Sequence, residues 1–233
     1  MYPKKTQLHA KEKTLKPSTP NTEVMEPKLW KAVLAALAAV TLNPGDVLLD
    51  AGGNDGVTAR MLSNRFPNQT ILTVEPIHKN VWEINRKMFT TPGMGNGKVL
   101  HGGLGEANSF SDYAATLEDR PGRQTGIMAI HARLKRIPTR RIFPIYKVDD
   151  LIGSEERLAF AHIDVEGAEP YALRGATNTI ARDRPVLTLE TFPQTNATQH
   201  ALLLEMMASL KYACKMVNES CGWNDCRNLL CLP

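Results

Sequence analysis

The stretch Val47-Leu48-Leu49-Asp50-Ala51-Gly52-Gly53-Asn54-Asp55-Gly56-Val57-Thr58 decides the fold. Val47, Leu48 and Leu49 form an apolar run suited to a short buried strand, and Asp50 closes it. Gly52 and Gly53 let the backbone turn where a Cβ would collide. Asn54 or Asp55 can cap a helix starting there. From Gly56 onward, Val57, Met61, Leu62 and Phe66 recur near one face, which predicts that helix. Strand, glycine turn and helix together present free backbone N–H groups at the end of a parallel sheet, where a small ligand can reach the main chain.

The spacing departs from the dinucleotide fingerprint. Asn54 and Val57 stand where its second and third glycines belong, and the pattern is Asp-x-Gly-x-Asn-x-Gly. Glu75 closes a second apolar run, Ile71-Leu72-Thr73-Val74, and a carboxylate there can accept the hydroxyls of a ribose. Asp50 at the first strand end would repel a pyrophosphate, so Asp50 with Glu75 suits a cationic nucleoside better. A plain tight turn with a solvated strand end is the simpler reading; the added Glu75 favours a nucleoside cofactor.

Around this unit the chain alternates. Residues 1–22 are rich in Lys, Pro and Thr and predict a disordered basic arm; residues 23–233 predict one domain. A helix is expected from Pro27 to about Leu42 within the leading segment 23–46. Pro76 breaks the second strand, a helix is expected from Ile77 to about Phe89, and Lys98–His101 reads as a third strand. Gly102, Gly103 and Gly105 read as a loop on which an adenine edge could rest. Residues 106–147 lose helical periodicity. Ile127–Leu134 alternates and Phe143–Val148 looks like its partner, which predicts a β-hairpin insertion. Eight basic residues and no acidic one lie between Arg120 and Val148. Such runs are usually solvated faces, but here Arg133, Arg136 and Arg140 would also suit an anionic acceptor. Leu158–Asp164 and Arg184–Glu190 predict buried strands ending in acids. Helices are expected over Pro170–Ala181 and Thr198–Leu210, with Ala213–Val217 and Leu229–Leu232 as a closing hairpin.

Composition narrows the class. The chain has 233 residues, 42% hydrophobic, with net charge +4, which suits one globular domain. The first sixteen residues hold five lysines against one glutamate, and the rest balances at 23 of each sign. The basic character is therefore that of a tail, and no nucleic-acid surface is expected. No apolar run reaches membrane-spanning length and none resembles a secretory signal, which suggests a cytoplasmic protein. Cys214, Cys221, Cys226 and Cys231 lack Cys-x-x-Cys spacing and have no histidine among them, so no metal site is expected. Reduced thiols are favoured over a C-terminal disulfide. Asn68, Asn196 and Asn218 begin formal glycosylation sequons, read as chance.

Four stretches line up in order: Asp50-Ala-Gly-Gly-Asn-Asp-Gly56; Val74-Glu-Pro76; Val148-Asp-Asp-Leu151 with His162-Ile-Asp-Val-Glu-Gly-Ala-Glu169; and Leu173-Arg-Gly-Ala176 with Arg184-Pro-Val-Leu-Thr-Leu-Glu190 after it. They resemble the FkbM family of S-adenosylmethionine-dependent methyltransferases, over about Val47 to the C-terminus. Gly53 is one departure, since the family usually carries Ala there. The resemblance implies an α/β fold: a doubly wound, seven-stranded, mostly parallel sheet of class I methyltransferase type. It implies methyl transfer from S-adenosylmethionine, typically to a hydroxyl of a sugar, glycan or related small metabolite. Gly52, Gly53 and Asn54 would approach the methionine part and Asp50 its amino group. Glu75 would bind the ribose, Gly56 and Pro76 belong to the same cofactor-binding stretches, and Asp164 would sit beside the reacting methyl. A hydroxyl acceptor must lose its proton, and Asp164 or Glu166 is the candidate base. Glu190 ends a strand on the same side and could equally be structural. His162, inside a strand, reads as a core histidine. A nicotinamide oxidoreductase and a non-catalytic nucleoside-binding scaffold are the competing readings; a hydrolase is disfavoured because no Gly-x-Ser-x-Gly elbow is present.

Overall fold

The structure is a computed structural model that describes residues 27–90, 95–114, 140–218 and 226–233. The basic arm, the alternating run Ile127–Leu134 and most of the basic run lie outside the described residues.

A seven-stranded sheet carries the domain. Its strands are β1 (Val47–Ala51), β2 (Thr70–Glu75), β3 (Gly97–His101), β7 (Leu158–Ile163), β8 (Val186–Thr191), β9 (Ala213–Val217) and β10 (Arg227–Leu232). The order across the sheet is β3-β2-β1-β7-β8-β10-β9. β1, β2, β3, β7 and β8 run parallel, and β10 is antiparallel to both its neighbours. The chain winds outward from β1 to β3, then returns to lay β7 against the other side of β1. That reversal leaves a crevice at the strand ends between β1 and β7, where ligands bind in open α/β sheets.

The two faces of the sheet differ. Leu49, Ala51, Val74, Ala161, Ile163, Leu187, Leu189 and Leu229 point to one face. There they pack on Val148 and Ile152, beside α4 (Val148–Leu151), and on α5 (Glu169–Arg174), α6 (Thr177–Asp183) and α7 (Ala197–Ser209). Leu48, Ile71, Phe160, Val186 and Leu230 point to the other face, under α1 (Pro27–Ala38) and α2 (Val57–Arg65). α3 (His78–Thr90) packs on β2 and β3. The all-buried pattern of β1, β7 and β8 is what a parallel sheet covered on both faces requires.

A second, three-stranded sheet is ordered β4 (Gly103–Leu104), β6 (Arg140–Tyr146) and β5 (Ser109–Ala114). An antiparallel pair is therefore present in the expected region, but the described antiparallel partner of Phe143–Ile145 is β5. Gly103 and Leu104, expected in a loop, pair with Ile145 and Tyr146. The glycines there make room for neighbours: a Cβ on Gly103 would lie 3.0 Å from the Phe143 ring.

Three further expectations change. α1 stops at Ala38 rather than near Leu42. The single helix over Pro170–Ala181 divides at Gly175 and Ala176, because Asp149 accepts the backbone N–H groups of Asn178 (3.2 Å) and Thr179 (2.8 Å) and starts α6 afresh. The three described cysteines are not reduced. The antiparallel register sets Cys214 directly opposite Cys231, with Cα atoms 4.0 Å apart, and the two form a disulfide. Cys226 is oxidised as well. No Cys-x-x-Cys pattern was needed, because strand pairing brings distant sulfurs together, and the cysteines do not argue for a reducing compartment. Among the described residues, no helix is long and apolar enough to cross a membrane.

Candidate active site

The face that carries α1 and α2 turns polar toward the strand ends. The register aligns Thr73, Asp50, His162 and Thr188 across four adjacent strands, all buried. Two residues further along each strand on the same face come Glu75, Gly52, Asp164 and Glu190. Period-2 alternation thus gathers four of the chain's strand-end groups into one row at the crevice. His162 belongs to the buried row: its Nδ1 lies 2.8 Å from the Thr188 hydroxyl and its ring packs edge-on against Trp30 of α1. Burial lowers its pKa. It is a core histidine, as its position within a strand suggests.

The glycine turn closes the crevice from β1. Gly52 has φ +92°, donates its N–H to the Val74 carbonyl (2.9 Å), and leaves no room for a side chain: a Cβ would sit 1.8 Å from the Asp164 carbonyl oxygen. Asp164 in turn donates its N–H to the Ala51 carbonyl (2.9 Å). A Cβ on Gly53 would lie 2.2 Å from Cγ2 of Thr73, so the glycine here goes with that threonine. Asn54 adopts φ +45° and aims its N–H at Glu75 Oε2 (2.8 Å). Gly56, at φ +79°, precedes α2.

Glu75 is held at three points. Besides Asn54, its Oε1 accepts the Ile77 N–H (2.8 Å) and the Asn80 side-chain amide (3.2 Å). A carboxylate offers about four acceptor positions, so roughly one remains, on Oε2. Burial raises its pKa to about 7, against the three hydrogen bonds, which lower it. Pro76 comes next, its carbonyl 3.0 Å from His101 Nε2. Sequence reasoning missed Asn80; a polar residue in the first turn after an acidic strand end is the signal that could have found it.

Asp50 is fully buried and neither carboxyl oxygen has a hydrogen-bond partner among the described residues. Burial, with Asp164, Glu75 and Asp55 nearby, raises its pKa to about 8. A fully buried carboxyl with no partner calls for a cation or a donor that arrives with a ligand.

The turn after β7 carries the remaining acids. Glu166 has φ +58° and its carboxyl makes no hydrogen bond among the described residues. Burial and then Asp164 and Glu169 raise its pKa to about 7. The N-cap position of α5 falls on Ala168, with no side-chain cap. Glu169 does the structural work instead. It is fully buried, accepts the N–H groups of Val165 (3.0 Å) and Gly167 (3.1 Å) on Oε1, and takes Gln199 Nε2 on Oε2 at 2.8 Å. Glu190 is buried at the end of β8, where burial and then Asp164, Glu166 and Glu169 push its pKa far above the carboxylate range, so it holds its proton. No group of three or more potential ligands able to hold a metal occurs among the described residues.

Asp50, without a hydrogen-bond partner among the described residues, the crowded Gly52 and the anchored Glu75 thus lie together at the ends of β1 and β2 beside β7. Comparison with known proteins agrees in class. The family model of the methyltransferase FkbM domain matches residues 50–214. No curated protein matches the chain. An FkbM methyltransferase from Methylobacillus flagellatus KT superposes with a TM-score of 0.58 at 16% identity, over 83% of this chain and 45% of that one. This chain therefore spans less than half the length of that protein. Aeropyrum pernix fibrillarin, solved with natively bound S-adenosyl-L-methionine, superposes with a TM-score of 0.50 at 14% identity, over 87% of this chain and 74% of that one. At such identities the superpositions speak for the fold, and the family match speaks for the class. The chain belongs to the methyltransferase FkbM domain family.

Proposed function

We propose that this chain methylates a hydroxyl oxygen of a sugar, glycan or related small metabolite. The observation that carries the reading is Glu166: a partly buried carboxyl in the crevice, without a hydrogen bond among the described residues, whose pKa near 7 lies close to a working pH. A general base is most effective under that condition. S-adenosylmethionine, when bound, supplies a methyl group already activated by its sulfonium. The protein then has to hold the acceptor oxygen in line and take its proton.

Asp50 receives the amino group of the methionine part, which gives its buried carboxylate a counter-charge. Gly52, Gly53 and Asn54 let that part lie on the main chain. Glu75 takes a ribose hydroxyl on its remaining acceptor position, beside Pro76, and Gly56 starts the helix behind them. Asp164 faces the methyl-bearing end. The acceptor hydroxyl gives its proton to the Glu166 carboxylate as the methyl moves to oxygen. The basic run suits an anionic acceptor through Arg133 and Arg136; Arg140 is already engaged by Asp112 on the second sheet.

Calorimetry with S-adenosylhomocysteine tests the site. The wild type binds it, and Glu75→Ala weakens binding about 10- to 100-fold, the size of one or two hydrogen bonds to a charged group. Glu166→Gln binds it unchanged but loses turnover on hydroxylated acceptors. Absence of wild-type binding refutes the cofactor site, and full turnover by Glu166→Gln refutes the base.

A further inference from the structure

The sheet register places Glu190 beside the residue that the mechanism puts nearest the reacting centre. Ile163 of β7 pairs with Leu189 of β8, so the next residues, Asp164 and Glu190, are neighbours across adjacent parallel strands. Glu190 is 1% exposed, whereas Asp164 is only partly buried. The Glu190 main chain is pinned from two sides: its carbonyl accepts Gln199 Nε2 at 3.2 Å, and Asn228 of β10 stands opposite it. Cys226 Sγ lies 3.0 Å from its Oε1. Three acids act on it as like charges: Asp164, Glu166 and Glu169. A buried carboxyl in that company keeps its proton and can donate it, and Asp164, the next residue on the adjacent strand, is placed to accept.

We propose that Glu190 is a positioning residue: from the adjacent strand it donates its carboxyl hydrogen bond to Asp164 and so holds the Asp164 carboxylate in one orientation at the cofactor. The inference rests on the methyltransferase reading above and extends it to a residue that does not touch the ligand. It distinguishes the neighbouring acids by task. Glu169 shapes the turn through backbone N–H groups, Glu166 is left open for proton transfer, and Glu190 orients Asp164.

Two substitutions separate positioning from mere filling of the core. Glu190→Gln keeps the shape and a side-chain N–H that can donate to Asp164. Glu190→Leu keeps the volume and removes the donor. A group that only fills space is replaced at least as well by Leu, since exchanging buried ionisable groups for packed hydrophobes is often neutral or stabilising. Full-length wild type and both variants are compared by thermal melting and by calorimetric titration with S-adenosylhomocysteine. The proposal requires Gln to bind within about threefold of wild type and Leu to bind at least about tenfold more weakly, with a Tm for Leu no lower than for Gln. Glu190→Met, unbranched, replaces Leu if Leu does not fold. Equal affinities for Gln and the hydrophobic variant overturn the proposal and leave the function intact. Failure of wild type itself to bind overturns the cofactor reading, and the proposal with it.

Discussion

Asp50→Asn offers the sharpest test of the crevice, because the expected effect can be worked out beforehand. Asp50 is fully buried, has no hydrogen-bond partner among the described residues, and has its pKa raised from 3.8 to about 8 in the folded chain. Between those values the native state holds a proton that the unfolded chain has released. Stability therefore falls as pH rises through that window and levels off above the folded value. The gap is worth about 6 kcal/mol at most, at about 1.4 kcal/mol per unit. That ceiling is comparable with the whole stability of a domain, about 5–15 kcal/mol. Burial raises Glu75, Glu166 and Glu169 in the same sense, so the wild type should soften markedly toward alkaline pH. Asparagine has the same shape and does not titrate. The assay is urea unfolding of ligand-free wild type and Asp50→Asn at several pH values from 5 to 9. Near pH 5 the two should differ by about 1 kcal/mol or less, since one buried uncharged polar group replaces another. Between about pH 5 and 7 the wild-type slope should be steeper by about 1.4 kcal/mol per pH unit, the signature of one proton. Saturating S-adenosylhomocysteine should shrink that difference if its amino group meets Asp50. Identical slopes in the ligand-free proteins would show that Asp50 is not a buried acid held neutral, and the case for a ligand cation at that point would fall.

Gly52→Ala should destabilise the protein by several kcal/mol. A left-handed conformation costs a non-glycine residue about 1–3 kcal/mol, and here the new Cβ also meets a backbone oxygen that cannot swing away. A thermal shift near zero would contradict the geometry of the β1–β7 junction. Cys214→Ser opens a disulfide with a sequence separation of 17. The chain-entropy argument gives about 3 kcal/mol for such a loop, or a fall in Tm of about 6–12 °C for a chain of this length. A variant that melts with the wild type, whose own disulfide has been verified by mass spectrometry, would refute that contribution.

The legible part of the site was the part held in short stretches. Asp50, Gly52 and Asn54 share one turn, and Glu75 stands at the next strand end, so spacing alone marked them as a group. Asp164 and Glu166 were singled out by the resemblance to the family and by their place at a strand end. What spacing could not separate was the work of neighbouring acids. Glu166 and Glu169 sit three residues apart, yet the turn buries Glu169 on the N–H groups of Val165 and Gly167 and leaves Glu166 without such bonds. Asn80 and Gln199 reach the acids from helices 5 and 30 residues away in sequence, at distances only packing sets.

By itself the sequence determined the alternation of strands and helices, the glycine turn and the acids that end the strands, because hydrophobic period and turn chemistry are local properties. Tertiary structure alone decided which strands are neighbours. Pairing β7 with β1 set Asp164 against Gly52, and pairing β8 with β7 set Glu190 beside Asp164. Pairing β10 with β9 joined Cys214 to Cys231. Burial then decided ionisation: the same carboxyl group titrates near 4 in an open chain and near 7 or 8 in this crevice, because an ion loses its water there.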